Sequence, residues 1–342
     1  MLGTTNFDGR HVDFQFFFNN FIELTVTGLV LGAVYALVAL GYTLVYGVLQ
    51  LINFAHSEVF MWGTFAVVWA LTFMGASGST TLAAAAGYLA IALIAAILVS
   101  GGIALLVERI AYRRLVQRKA PKYVILISAI GASFVLSETM GLRDKIVSFV
   151  GLRDVLDPYV DRARDVTVLP LEIKPTPILT IGDYSIRDTD VVILLGALIM
   201  MVALDLFIRR TSFGRQIRAV AQDPEAASLM GANSTNVVRI TFLIGGVMAG
   251  VAATLYMMKI GATTFSGGFV LGVKAFAAAV LGGIGNLRGA LLGGLLLGVV
   301  ENYASGIIGS AWRDVTAFVL LVLVLLFRPS GLLGEALGRA RA

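Results

Sequence analysis

Residues 28–63 read GLVLGAVYALVALGYTLVYGVLQLINFAHSEVFMWG, and their reading decides the fold. They lie within a run of 34 residues, Leu24 to Ser57, that carries no formally charged side chain. As one straight helix such a run extends roughly 51 Å, whereas the hydrocarbon core of a bilayer is about 30 Å thick. The run is therefore a membrane span followed by something else. The pattern predicts a helix over residues 21–46, a break over residues 47–53 and a second helix from about Ala55. Asn53, His56, Ser57 and Glu58 cluster at the break. Polar groups and interrupted helices at membrane depth are tolerated only where protein or a water-filled cavity satisfies the backbone.

Composition agrees with this reading over the whole chain. Of 342 residues, 58% are hydrophobic and 14% charged, where soluble domains carry about 25% charged residues. The expected fold is all-α: one polytopic integral membrane domain over residues 1–342, with about eight or nine transmembrane or re-entrant helices. The 38 glycines suit close helix packing in lipid. The absence of cysteine excludes disulfides and thiolate metal sites. Residues 1–21 hold Asp8, Asp13 and only Arg10 before the first apolar run, unlike a cleaved signal peptide.

Nine segments are expected to cross or enter the bilayer: residues 21–46, 55–74, 82–107, 123–142, 191–208, 237–258, 269–284, 289–308 and 313–327. The last three are short and glycine-broken, and read as three spans or as one span beside a re-entrant pair. Positive charge in short loops sets orientation. Residues 108–122 carry six positive side chains against one negative, and residues 209–218 carry four against none, so both are expected to be cytoplasmic. The loop between them, residues 143–190, has seven positive and nine negative side chains and four of the seven prolines. It is expected outside, as a cap with a short helix near residues 157–164 and turns near residues 170–177. Counting spans puts the amino terminus outside and the carboxyl terminus inside, with Arg328, Arg339 and Arg341. The excess charge of +5 is thereby a topology signal and not a nucleic-acid surface. A faint echo links the segment from Val30 to the one from Val270, each a glycine-spaced helix ending in a break. Repeats of that kind put a binding path between the two breaks.

The second informative stretch, residues 211–241, lies in the cytoplasmic loop of residues 209–236. Asp223 suits an N-cap, Pro224 the first helical position, Glu225 the positive helix end, and Gly231 a stop. These signals specify a short helix over residues 224–230 with small apolar residues, Ala226 and Ala227, on it.

Four stretches together resemble one family: GAVYALVALGYTLVYGVLQLINFAHSE, the spacing Glu225-Ala226-Ala227-x3-Gly231, AFAAAVLGGIGNLRGALLGG over residues 275–294, and RPSGLLG over residues 328–334. They look like the LivH-type permease subunit of bacterial high-affinity branched-chain amino acid ABC transporters. The resemblance implies a permease of the bacterial inner membrane that hydrolyses no ATP itself and needs no cofactor. The absence of a G-x-x-x-x-G-K-[ST] phosphate loop agrees. Two ABC ATPase subunits, a second permease (a LivM-type relative or a second copy) and a periplasmic substrate-binding protein are the implied partners. In such importers the EAA-x3-G helix docks on the ATPase, which assigns that role to Asp223, Pro224, Glu225, Ala226, Ala227 and Gly231. The family's downstream Ile-x-Leu-Pro is kept here only as Leu243, with Ile244 in the proline position.

Asn53, His56 and Glu58 are the candidates for lining the translocation pathway or hinging it, since ionisable groups inside a membrane are costly to bury. In a purely structural role Asn53 caps the second helix and hydrogen-bonds His56. Lys274 is expected to snorkel to the outer interface, with a Lys274–Glu301 pair as the alternative. A urea or short-amide permease is the alternative within the class. An ion-coupled secondary transporter or channel is the alternative outside it, but the embedded carboxylates do not cluster into a coupling-ion site. Neither His11 and His56 nor any Ser/His/Asp set supports catalysis.

Overall fold

The apolar periodicity resolves into a helical bundle whose elements follow the expected segments closely. The computed structural model describes residues 5–7, 10–12, 14–160, 162–181, 184–328 and 330–334; Arg339 and Arg341 lie outside them. The helices are α1 (Phe14–Asn19), α2 (Phe21–Leu49), α3 (His56–Phe73), α4 (Leu82–Val107), α5 (Arg113–Gln117), α6 (Lys122–Gly141), α7 (Arg143–Val150) and α8 (Arg153–Val160). They continue as α9 (Asp188–Arg210), α10 (Ser212–Gln222), α11 (Pro224–Leu229), α12 (Ser234–Ile260), α13 (Gly267–Gly282), α14 (Leu287–Ile308) and α15 (Arg313–Phe327). A π-turn, Glu108–Tyr112, joins α4 to α5. All nine expected segments are helices. Among the described residues, seven helices are long and apolar enough to cross a bilayer. The 18-residue α3 and the 16-residue α13 complete the set. At 1.5 Å per residue they reach roughly 27 and 24 Å, less than a full bilayer core.

The ends of the bundle sort the loops as the charges predict. Lys119 Nζ, in the first basic loop, lies 3.4 Å from Glu225 Oε1 in the second, so both sit at one end. Strands β1 (Thr5–Phe7) and β2 (Arg10–Val12) pair antiparallel ahead of α1, and the opposite end is built from β3 (Gly78–Thr81), β4 (Thr167–Val168), β5 (Leu171–Lys174), β6 (Pro177–Ile181), β7 (Tyr184–Arg187) and β8 (Ala262–Thr263). β3 runs parallel to β5, β4 pairs antiparallel with β8, and β6–β7 is a hairpin. This corrects two expectations for the cap. Residues 171–174 form a strand and not a turn, because their partner β3 is supplied from far upstream. The helix expected from residue 157 starts instead at Arg153, with Arg153 and Asp157 paired at 3.6 Å and Pro158 inside it.

Close packing comes from glycine seams. Gly28 and Gly32 of α2 face Gly294 and Gly298 of α14; a Cβ on Gly294 would stand 2.6 Å from the backbone of Ala36. Gly246 and Gly250 of α12 face Ala96, Ser100 and Ala104 of α4 in the same way, at 2.7–2.8 Å. Without a solvent-driven hydrophobic force between helices in lipid, such contacts and the dispersion they permit hold the bundle together. The two echoing segments, α2 and α13, pack side by side with Tyr42 edge-on to Phe276. Their ends, around Gln50 and Ile284, border one cavity of about 1090 Å³ at the basic end.

Gly294→Leu is expected to destabilise the protein by about 3 kcal/mol or more, because the new side chain meets backbone and not a flexible side chain. Gly47→Ala, which meets open space within α2, is expected to be neutral or to stabilise by about 0.5–1 kcal/mol. Thermal melts in detergent distinguish the two; equal effects would contradict the seam.

Candidate functional site

α2 runs three residues beyond its expected end and stops at Gln50, which takes the left-handed conformation (φ 52°). Six residues later α3 begins, and Asn53 organises the turn between them. Its Oδ1 accepts from the Ala55 N–H (3.2 Å) and from the Tyr112 hydroxyl (3.1 Å), while its main-chain carbonyl accepts from the His56 N–H (3.1 Å). Asn53 is 3% exposed. The expected side-chain cap is therefore corrected: the N-cap position belongs to Ala55, which has no polar side chain. Asn53 braces the turn two residues earlier and draws a partner, Tyr112, from the π-turn beyond α4.

His56 does not hydrogen-bond the Asn53 side chain. Its ring packs edge-on against Tyr42, at 4.9 Å between centroids, over Gly41 and Gly245. A Cβ on Gly41 would overlap the imidazole, so glycine there makes the slot. His56 Nε2 is buried without a partner. Glu58 points elsewhere, as a two-residue offset requires. Its Oε1 accepts from Ser133 Oγ (3.3 Å) on α6 and lies 3.5 Å from Ser57 Oγ; its Oε2 has no partner and faces Gly268 of α13. Ser57 Oγ also reaches the Phe54 carbonyl at 2.8 Å, tying the first turn of α3 back to the break. Tyr112 and Ser133 were not legible as members of this site. The only hint was an aromatic residue among the charges of residues 108–122.

A second buried polar group lies between α13, α14 and α15. Lys274 Nζ stands 2.7 Å from Glu301 Oε1 and 2.6 Å from Asp314 Oδ1, and Arg313 Nε approaches Glu301 at 3.6 Å. Tyr35 of α2 donates to the same Glu301 oxygen at 3.4 Å. Lys274 is 7% exposed and Glu301 fully buried, so the expected snorkelling is corrected. The tight α14–α15 hairpin brings Asp314 over Lys274, and two carboxylates in reach outweigh a route to the interface. Arg288, by contrast, stays at the basic end, 3.8 Å from Asp205.

At the basic end the capping chemistry of α11 is as read. Asp223 Oδ1 accepts from the N–H groups of Glu225 (2.9 Å) and Ala226 (3.0 Å), Pro224 occupies the first turn, and Gly231 turns the chain with φ +88°. Ala227 is buried beneath the helix, whereas Ala226 is exposed and Leu229 and Met230 are 88% and 89% exposed. A groove of about 400 Å³ runs between α10 and α11, floored by Ala219, Ala226 and Ala227. Residues 223–231 thus lie together, and none of them contacts Asn53, His56 or Glu58 through a hydrogen bond or ion pair described above. No group of three His, Asp or Glu side chains among the described residues is arranged to hold a metal ion.

Residues 24–325 match the family model described as branched-chain amino acid transport system / permease component. The chain is 39% identical over 321 residues to the high-affinity branched-chain amino acid transport system permease protein BraD of Pseudomonas aeruginosa, covering 92% of this chain and 96% of that one. It is 39% identical over 318 residues to the corresponding protein LivH of Escherichia coli K12, with the same coverage of 92% and 96%. The probable branched-chain amino acid transport permease protein LivH of Methanocaldococcus jannaschii is 25% identical over 307 residues, 87% of this chain and 88% of that one.

Lys274→Met is expected to destabilise the folded protein by about 3–5 kcal/mol, since Glu301 is left buried with a weakened partner set. Detergent melts check it. A variant as stable as the parent would mean that Lys274 does not hold Glu301.

Proposed function

Because the chain belongs to the family of branched-chain amino acid transport system permease components, we propose that it is the membrane-spanning subunit of an ABC importer for leucine, isoleucine, valine or a similar apolar amino acid. It is a transporter subunit and not an enzyme. ATP hydrolysis falls to separate subunits, two of which dock at the basic end. A second permease, LivM-type or a second copy, completes the pathway, and a periplasmic binding protein delivers substrate to the strand-built cap. In this reading the membrane is the bacterial inner membrane, the basic end is cytoplasmic, the amino terminus lies outside and the carboxyl terminus inside.

The observation that carries the docking role is α11 itself. Six residues do not form a stable helix alone, and this one is specified by a cap, a first-turn proline and a glycine stop. Its tip then leaves Leu229 and Met230 bare to solvent. Its contact through Lys119 and Glu225 is between two exposed side chains and contributes at most about 1 kcal/mol. A helix so firmly formed and so lightly held suits seating in a partner's groove and following its movement. ATP binding then closes the motor, α11 moves, and the spans reorient about the break at Asn53, His56 and Glu58. The cavity between the two breaks supports a pathway that opens on the basic side in this conformation.

Ala226→Arg and Gly231→Asp are expected to leave the protein inserted while reducing uptake per ATP in proteoliposomes with all partners present. Ala226 is exposed, so the chain's own stability changes by only about 0.5 kcal/mol. Normal coupled uptake by both variants would remove the docking role.

A further inference from the structure

α4 does not simply end at Val107. Over Glu108–Tyr112 the hydrogen bonding widens to the i→i+5 pattern, with the Arg113 N–H donating to the Glu108 carbonyl. The side chains repeat the same spacing. Arg113 grips the Glu108 carboxylate in two places, Nε to Oε1 at 3.0 Å and Nη2 to Oε2 at 2.5 Å, and Glu108 is 1% exposed. A single π-turn inside an α-helix is rare and concentrates at functional positions. Here a charge-assisted, bidentate pair between the buried Glu108 and a half-buried Arg113 locks it in register.

The consequence is the orientation of Tyr112. One residue more or less per turn swings a helical side chain by roughly 100°, and the π-turn points this one inward. Tyr112 is fully buried, its ring is edge-on to Phe242 of α12 at 5.0 Å between centroids, and its hydroxyl donates to Asn53 Oδ1 at 3.1 Å. That oxygen also receives the Ala55 N–H, immediately before α3. On its other side α12 follows α11 directly, the Ala232 N–H donating to the Ala227 carbonyl at 3.0 Å. Tyr112 therefore touches both the helix that leads from the docking loop and the turn that starts α3.

We infer that Tyr112, set by the Glu108–Arg113 π-turn, is the positioning residue that transmits movement of the docking loop to the break at Asn53. This rests on the permease reading above. Its rationale is mechanical: a ring packed on α12 and a hydroxyl on the break form a contiguous route of buried contacts, and loss of the hydroxyl alone cuts that route without opening a cavity.

The test uses Tyr112→Phe, Asn53→Leu and the double variant in the assembled transporter, reconstituted with its ATPase subunits, second permease and binding protein. Uptake per ATP is expected to fall about fivefold or more in each single variant, with the double variant no worse than Asn53→Leu alone, because Asn53→Leu already removes the oxygen that meets the Tyr112 hydroxyl, together with its bond to the Ala55 N–H. Hydrogen exchange of the amides in residues 50–58 is expected to quicken in Tyr112→Phe while exchange in α2 and α4 is unchanged. Parental uptake per ATP in Tyr112→Phe, losses that add in the double, or unchanged exchange at residues 50–58 would each overturn the inference. An unmodified complex that takes up no branched-chain amino acid would overturn the permease reading instead, and the exchange measurement still decides whether the hydroxyl holds the break.

Discussion

Backbone polar groups buried without a partner cost several kcal/mol each, and this chain frees a run of them from helical pairing between Leu49 and His56. Asn53 meets two of them: its side-chain oxygen takes the Ala55 N–H and its main-chain carbonyl the His56 N–H, both from the α3 side of the turn, and the same side-chain oxygen accepts from the Tyr112 hydroxyl, while Ser57 Oγ meets the Phe54 carbonyl. Those donors converge on the break from the start of α3 and from the π-turn beyond α4.

Convergence of that kind needs helices to approach closely, and the glycines make the approach possible. At Gly41 the missing Cβ is the space His56 occupies; at Gly268 and Gly272 of α13 it admits Glu58, Ser57 and Met61 of α3. The same constraint explains how charge is tolerated. Lys274 and Arg313 balance Glu301 and Asp314 between three helices, and Lys259 meets Asp190 at 2.6 Å near the cap. Beside the break His56 Nε2 and Glu58 Oε2 are buried without partners, as are Thr43 Oγ1 and, within the lysine network, Glu301 Oε2.

Much of this was legible in the residues, for identifiable reasons. Span positions follow from uninterrupted apolar runs, so α4 was delimited to the residue, and α11 was readable because Asp223, Pro224 and Gly231 each act locally. Features that depend on distant partners were not legible. Residues 171–174 look like a proline-flanked turn until β3 pairs with them. Lys274 looks like a snorkelling lysine until the α14–α15 hairpin brings Asp314 to it. Tyr112 looks like one aromatic in a basic loop, since nothing local announces a π-turn that rotates it onto Asn53. The family resemblance supplied the kind of protein; the geometry placed Tyr112 between α12 and the break at Asn53.

As a permease subunit, this chain supplies no ATP hydrolysis of its own, and its drive comes from partner subunits. The most direct test is uptake of radiolabelled leucine into proteoliposomes containing the chain alone, under proton and sodium gradients, beside proteoliposomes that also contain the ATPase subunits, the second permease, the binding protein and ATP. The prediction is uptake in the complete, ATP-supplied vesicles and none by the chain alone. Gradient-driven uptake by the isolated chain would contradict it.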